Sequence, residues 1–416
     1  MNYPESVEYL YSLGNEIRTA KLGLERMTIL AEALSHPERA YSVVHVAGTN
    51  GKGSTSAMIA SGLRADGHRV GLYTSPHLVE PTERIAVDGK AISAADFSRA
   101  FVHVHETAER MLLAGTLDAH PTYFETVTLM AFWWFAECGV DWAVIEVGLG
   151  GRLDATNIVT PQLCVITPVD YDHEAWLGKS LDSIAFEKAG ILKTGVPVVM
   201  GPQRAVPRDV IERRAETVHA PVLDATAWPV AGLKMDARGS RFSAAGLEIQ
   251  CPLAGEHQVE NARTAAVALH ALELTPEQIQ AGIGATRWPG RLEMVQVNPE
   301  IWLDGAHNPS GARALAAYIN RFHKERRILL IYGAMRDKSV EEIAGVLFPL
   351  ADELILTAPG QTRALRPEAI LEMEPHPRAR FASGARAALA MKHNCDVVFV
   401  TGSLYLVGEA RAILVQ

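Results

Sequence analysis

Residues 48–54 (Gly48, Thr49, Asn50, Gly51, Lys52, Gly53, Ser54) lie between a β-branched run and a helical pattern. Glycines in such a loop let backbone N–H groups turn toward a polyphosphate. The following helix N-terminus adds positive potential, and Lys52 can reach the terminal phosphates. The spacing is tighter than G-x-x-x-x-G-K-[ST], because only Thr49 and Asn50 separate the first glycines and Gly53 intervenes before Ser54. The plainer alternative is a glycine turn closing a strand–helix unit, but the order strand, loop, lysine, helix favours phosphate binding.

Other chemistry-bearing residues also follow apolar runs. Glu146 stands one residue before the end of the run Trp142–Val147 and opens Glu146–Asn157, a glycine-rich stretch. A carboxylate at the end of a strand beside a phosphate loop is where Mg²⁺ would be held, and a solvated Glu146 on a chain-reversing turn is the alternative. Asp170-Tyr171-Asp172-His173 follows Cys164–Thr167, with His173 either a metal ligand or base, or a turn residue. Lys188, at the helix end Phe186–Ile191, would ordinarily snorkel to solvent. Asp304–Pro309 supplies a carboxylate, the His307 imidazole and an amide, or else an Asx turn capping a helix; Gly333–Lys338 adds cations, Lys338 among them. Together these loops define two ligand edges able to face one another.

The elements that position them alternate as in parallel sheets covered by helices. Strands are expected at Tyr41–Ala47, Arg69–Thr74, Thr82–Val87, Trp142–Val147 and Cys164–Thr167. Helices are expected at 54–65, 93–113, 123–138, 260–272 and 276–285, with a small β subregion across 221–252. After Trp288-Pro289-Gly290-Arg291 a second series begins, with strands at Ile301–Leu303, Ile328–Tyr332, Glu353–Thr357 and Val397–Thr401. The expected division is 1–294 and 295–416, which suits a chain of 416 residues, too long for one ordinary core.

With 48% hydrophobic and 21% charged residues the composition is globular. Against 48 aspartates and glutamates stand 39 lysines and arginines, a net −9, so no broad basic surface for nucleic acid is expected. The cysteines Cys138, Cys164, Cys251 and Cys395 are far apart, as in a reducing compartment. Met1–Leu10 has no basic start or apolar core, and the apolar stretch 126–136 is too short for a membrane span. A cytoplasmic monomer is expected, with no nucleic-acid or membrane partner.

Several separated stretches, in order, resemble the folylpolyglutamate synthase and dihydrofolate synthase family of the Mur ligase superfamily. They are Leu22-Gly23-Leu24-Glu25-Arg26, the Gly48 loop, Thr74–Leu78, Thr122–Glu125, Glu146–Asn157, Glu187–Ile191, Asp304–Pro309 and Thr401–Tyr405. The resemblance implies an α/β fold: an N-terminal P-loop ATPase domain of the Mur ligase type with a mostly parallel sheet, and a smaller Rossmann-like C-terminal domain. It implies ATP-dependent addition of L-glutamate to dihydropteroate and to reduced folates. By the same resemblance, Gly48–Ser54 would wrap the ATP phosphates, and Asn261, Arg291 and Asp304 would contact the nucleotide. Ser75 and Glu146 would hold one Mg²⁺, and His173 a second with Glu146 and Lys188, the lysine carrying a CO₂-derived carbamate. Leu22, Gly23, Thr122, Tyr123, Phe124, Glu125, Leu153, Asp154 and Ala155 match substrate-binding stretches. Two positions depart from the family pattern: Lys21, where relatives often carry aspartate, and Glu174, directly after His173.

The chemistry so implied is activation of a carboxylate as an acyl phosphate, attacked by the glutamate amine with loss of phosphate. Closure of one domain over the other would exclude water from that intermediate. Rival expectations are polyglutamate synthesis alone, an amide ligase acting on a cell-wall precursor, and a nucleotide-binding regulator without turnover. The regulator has no need of the Glu146, His173 and Lys188 set.

Overall fold

Short runs of valine, isoleucine and alanine form strands covered on both faces, which is why they read as continuous rather than alternating. In the structure, a computed structural model describing residues 1–13, 23–392 and 395–415, Ser42–Ala47 is buried at all but its first residue. It lies inside an eight-stranded sheet. The strand order is Lys90–Ala91, Ile85–Val87, Val70–Tyr73, Trp142–Glu146, Ser42–Ala47, Leu163–Ile166, Val198–Met200 and Val222–Asp224. Ser42–Ala47 runs parallel to both neighbours, with Val46 opposite Glu146 and Ala47 opposite Ile166. Parallel register sends the loops at Gly48, Val147 and Thr167 off the same sheet edge, where the strand order jumps.

The one antiparallel corner of this sheet differs from expectation. Only Ile85–Val87 is strand, and Pro81–Arg84 is a 3₁₀ turn. Pro81 favours that turn, and the Glu83 carboxylate fixes it by accepting from the N–H groups of Leu78, Val79 and Glu80 at 2.8, 3.1 and 3.0 Å. Asp88 and Gly89, with φ of 52° and 76°, then turn the chain into Lys90–Ala91.

Across 221–252 the small β region resolves into two parts. Val222–Asp224 joins the large sheet, while Val230–Asp236, Gly239–Ala244 and Leu247–Cys251 form a three-stranded antiparallel sheet. Its inner face, Phe242, Ala244, Leu247, Ile249 and Cys251, packs into the same core as Met58, Ile59 and Leu63 of the helix Lys52–Ala65.

The second large sheet has six strands, in the order Glu293–Val297, Glu300–Leu303, Val397–Thr401, Ile328–Tyr332, Glu353–Leu356 and Ala379–Phe381. All pairs are parallel except the first. The loops after Leu303, Tyr332 and Thr401 therefore share one edge, and this edge faces that of the first sheet. The two parts touch closely: a Cβ on Gly408 would lie 1.8 Å from the Leu78 carbonyl oxygen, and Tyr318 Oη donates to Ala237 O at 2.8 Å.

Helix positions follow their caps. Thr122 and Glu125 reciprocally cap Tyr123–Cys138, whose Val127–Phe132 segment is wholly buried, and Thr275 with Gln278 caps Pro276–Ala285. Among the described residues no helix is long and apolar enough to cross a membrane.

The helix Lys52–Ala65 is held against Pro276–Ala285 backbone to backbone, since a Cβ on Gly282 would lie 2.3 Å from Gly62 Cα. Gly282→Val should force the pair apart and cost about 3 kcal/mol, the upper end of ordinary overpacking. Urea unfolding measures this. An unchanged midpoint would mean that the helices separate freely.

Candidate active site

The loop Gly48–Ser54 owes its shape to close approaches that only glycine tolerates. Gly48 has φ 146°, and a Cβ there would sit 1.9 Å from Thr167 Oγ1; Gly51 has φ 87°, and a Cβ there would meet Asn261 Oδ1 at 2.2 Å. The neighbouring coil fastens the loop. Pro168 O accepts from Thr49 N at 2.9 Å and Asn50 N at 3.3 Å, and Thr49 Oγ1 donates to Asp170 O at 2.9 Å while accepting from Asp170 N at 3.1 Å. Gly51 caps the helix that begins at Lys52, so the first N–H groups of that helix open toward the loop. Lys52 Nζ donates to Thr49 O at 3.3 Å. From behind, Gln258 Nε2 donates to Ser54 Oγ at 3.3 Å and Asn261 Nδ2 to Gln258 Oε1 at 2.9 Å.

Beside this loop lie two buried ionisable groups of opposite type. Glu146 is held at the strand end and accepts from Ser75 N at 3.3 Å. Burial pushes its pKa up, while the Lys52 charge and the Ser75 hydrogen bond pull the other way. Lys188 does not snorkel: it is 5% exposed and donates from Nζ to Gly48 O at 2.8 Å. Its helix, Leu181–Ala189, packs under the Glu146–Asn157 loop, where Arg152 N donates to Glu187 O at 2.8 Å. Burial and then the Lys52 charge bring the Lys188 pKa down to about 7. Burial and the Lys338 charge lower His173 to about 3, leaving its imidazole neutral near pH 7.

The facing edge carries Asp304, whose Oδ2 accepts from Leu292 N and Oδ1 from Ala306 N, both at 3.0 Å. Burial raises its pKa, and the Arg291 charge opposes that rise. His307 Nδ1 donates to Gly305 O at 2.7 Å, leaving Nε2 3.6 Å from Asp172 Oδ2. Asn308 caps the helix Pro309–Phe322 by accepting from Gly311 N at 2.8 Å. Its Nδ2 donates across the gap to Asn50 Oδ1 at 2.9 Å and Asp172 Oδ2 at 3.2 Å. Lys338 Nζ pairs with Asp172 Oδ1 at 2.6 Å. Burial would raise the Asp172 pKa, but the facing His307 imidazole and the Lys338 charge outweigh it and hold the carboxyl well below its usual range.

Between the two edges lies a cavity of about 570 Å³. The whole Gly48–Ser54 loop, Ser75, Glu146, His173 and Lys188 line it from one side; Arg291, Asp304, His307 and Lys338 line it from the other, with Asn261 behind the loop. Of the expected substrate-binding residues, Phe124 lines it. Thr122, Tyr123 and Glu125 do not: Thr122 and Glu125 form the helix cap, Glu125 pairs with buried Arg26 at 2.8 Å, and Tyr123 stacks on Tyr11. Gly23, Leu153, Asp154 and Ala155 also lie off the lining. Asp154 holds its own loop, accepting from Leu149 N at 2.8 Å and Thr156 N at 3.0 Å. Leu22 and Lys21 fall outside the described residues, and Glu174 is exposed at the start of a short helix.

Sequence reading gave no role to Asp172, His257 or Gln258 and took Asn308 only as the amide of its motif; all four are on the lining. Asp172 and Asn308 stand inside motifs already quoted. Gln258 precedes Asn261 by one helical turn, a spacing that places both on one face.

The Glu146 carboxylate and the Ser75 hydroxyl suit Mg²⁺ in kind, because that ion takes one or two carboxylates and fills its shell with waters and phosphate oxygens; the His173 imidazole is a softer donor than this ion usually takes. They are not a ready-made cage: among the described residues, no three His, Cys, Asp or Glu ligand atoms within 4.8 Å of one another occur here. Lys188 could join them only with its ammonium converted to an anionic group.

The Mur ligase middle domain matches residues 46–269 and the Mur ligase glutamate ligase domain residues 290–404. The chain is 37% identical over 432 residues to a folylpolyglutamate synthase of Lacticaseibacillus casei, covering 100% of this chain and 99% of the relative. A crystal structure of Mycobacterium tuberculosis folylpolyglutamate synthase complexed with ADP and AMPPCP superposes with TM-score 0.92 at 32% identity, covering 100% and 99% of the two chains. E. coli FolC in complex with DHPP and ADP gives TM-score 0.87 at 31% identity, covering 99% and 97%. Similarity of this level along both sheets and the loops between them makes the chain a member of the folylpolyglutamate synthase/dihydrofolate synthase family of Mur ligases.

Proposed function

We propose that this ATP-dependent ligase adds L-glutamate to dihydropteroate and to reduced folates through an acyl phosphate. The observation that carries the reading is one cavity faced by the Gly48–Ser54 loop with Lys52, Glu146 and Lys188 on one side and Arg291, Asp304 and His307 on the other. We keep two domains, 1–294 and 295–416 by the sequence pattern; family matches that end at 269 and resume at 290, with the strand Glu293–Val297 in the second sheet, favour a junction a few residues earlier. Unpaired Cys138, Cys164, Cys251 and Cys395 suit a cytoplasmic protein, and we take the working unit as a monomer.

In the first step a carboxylate oxygen of the acceptor attacks the γ-phosphorus, and ADP leaves. The loop N–H groups and Lys52 hold the phosphates in line and offset charge on the transferring group. The glutamate amine then attacks the acyl carbon, phosphate departs, and the amine loses a proton. Apposition of the two sheet edges keeps water from the acyl phosphate. Mg²⁺ held by Ser75, Glu146, His173 and carbamylated Lys188 would supply Lewis-acid polarisation of the phosphoryl oxygens. Thr122–Glu125 and Leu153–Ala155 keep the folate-binding role that the family resemblance gives them; of these residues Phe124 lines the cavity.

Purified protein should release phosphate only when folate and glutamate are both present, with dihydropteroate and tetrahydrofolate each accepted. Use of tetrahydrofolate alone would reduce it to a polyglutamate synthase, and release without glutamate would favour a regulator. Lys52→Ala should lower kcat about 100- to 1000-fold with the fold intact by circular dichroism. Unchanged turnover would remove Lys52 from phosphoryl transfer.

The carbamate has its own test. Only the neutral amine captures CO₂, and with a pKa of about 7 that form grows as pH rises through neutrality. Enzyme stripped of metal and CO₂ should stay inactive with Mg²⁺ alone and recover with Mg²⁺ plus bicarbonate, faster above pH 7 than below. Lys188→Ala should be inactive and partly rescued by formate or acetate. Full activity in CO₂-free buffer would exclude the modification.

A further inference from the structure

Away from the cavity, the helix Ala94–Leu113 carries His105 and Glu109 one turn apart, a spacing that puts both on one face. His120, in the coil before the helix Tyr123–Cys138, meets them there. One ligand atom from each of the three residues lies within 4.8 Å of the others, and no other such trio of His, Cys, Asp or Glu occurs among the described residues. Glu109 Oε1 and His120 Nε2 are 3.4 Å apart. Tetrahedral bonds of about 2.0–2.1 Å, as zinc makes to nitrogen and oxygen, separate neighbouring donors by about 3.3–3.4 Å.

A second feature bears on the same point. His120 Nδ1 lies 3.0 Å from Pro121 O. A carbonyl only accepts, so Nδ1 carries the proton, and in the neutral ring Nε2 turns a lone pair toward the Glu109 carboxylate. Two acceptors at this spacing are bridged either by a second proton on the ring, which makes an ion pair, or by a metal cation; the tetrahedral spacing and the third ligand atom from His105 favour the metal. A histidine whose outer nitrogen donates to a backbone carbonyl is also how proteins orient a metal-ligating imidazole. His105 is positioned differently, by ring contacts rather than by a carbonyl. Its ring stacks on Phe101 at 5.3 Å and meets Tyr9 edge-on at 4.7 Å, its Nδ1 is buried without a hydrogen-bond partner, and burial favours its neutral form. Tyr9 Oη stands 3.4 Å from His120 Nε2.

We propose that His105, Glu109 and His120 form a binding site for a divalent transition metal of the zinc class, with the fourth position open to water or to Tyr9 Oη. Occupancy ties three segments together: the helix Tyr3–Ser12 through Tyr9, the helix Ala94–Leu113, and the coil leading to the Thr122 cap. That coil ends two residues before Phe124, so the metal braces one wall of the cavity without entering it.

The test uses the full chain without a histidine tag, in excess Mg²⁺ so that other oxygen-rich positions are occupied. Zn²⁺ is titrated by calorimetry against wild type, the half-exposed Glu109→Gln, and His105→Ala/His120→Asn. Wild type should bind one more equivalent than the double variant, and Glu109→Gln should weaken that equivalent about 100-fold. Co²⁺ should give wild type, but not the double variant, the visible absorption of a four-coordinate ion. The thermal midpoint of wild type should rise with Zn²⁺. Equal stoichiometry and affinity in wild type and Glu109→Gln would overturn the proposal and leave a proton-mediated His120–Glu109 pair. Should the double variant not fold, the Glu109→Gln comparison and the Co²⁺ spectrum of wild type decide the matter.

Discussion

One carboxylate, that of Asp172, belongs to the first sheet by sequence and to the second by its partners. Lys338 and Asn308 bond to it and His307 faces it, all from the six-stranded part, while His173 adjoins it from its own loop. Its side chain is 9% exposed, and a buried carboxylate without such partners would be neutral or would open the structure to water. With them it stays ionised and fixes how the two sheet edges meet. The distance from Lys52 to Asp304, and so the existence of a cavity bounded on both sides, depends on this junction.

Electrostatically the cavity is unfinished. Glu146 and Lys188 are both buried, their pKa values are pushed toward neutrality from opposite directions, and among the described residues neither has an ionised partner within hydrogen-bond distance. Direct pairing would have been the simplest relief. Each instead rests on backbone, Glu146 on the Ser75 N–H and Lys188 on the Gly48 carbonyl. A buried acid and a buried amine kept apart in this way retain the capacity to bind something multivalent, as the nucleotide chemistry proposed here requires.

The architecture was largely legible because its signals are local. Thr275-Pro276 with Gln278 announces a helix start, Ile328–Tyr332 is apolar enough to be nothing but a buried strand, and each loop of interest directly follows such a strand. Glu293–Val297 and Ala379–Phe381 were not visible: both are edge strands with half-exposed side chains and no apolar run. At the site the loops were readable, but the hub was not, since Asp172 meets Asn308 and Lys338 at sequence separations of 136 and 166. Lys188 read as an ordinary amphipathic lysine because periodicity does not say which helix face another element covers. Thr122–Glu125 matched a ligand-binding stretch, yet its threonine and glutamate are first a capping box, a role that spacing alone indicates.

The coil after Leu163–Ile166 holds both anchors within a few residues. Pro168 and Asp170 grip the loop at Thr49 and Asn50, and Asp172 grips the second sheet. A single stretch of backbone is thus shared by two equilibria, filling of the phosphate loop and closure of the two edges. If a nucleotide in the loop favours the joined arrangement of the edges by some factor, joining them favours the nucleotide by that same factor.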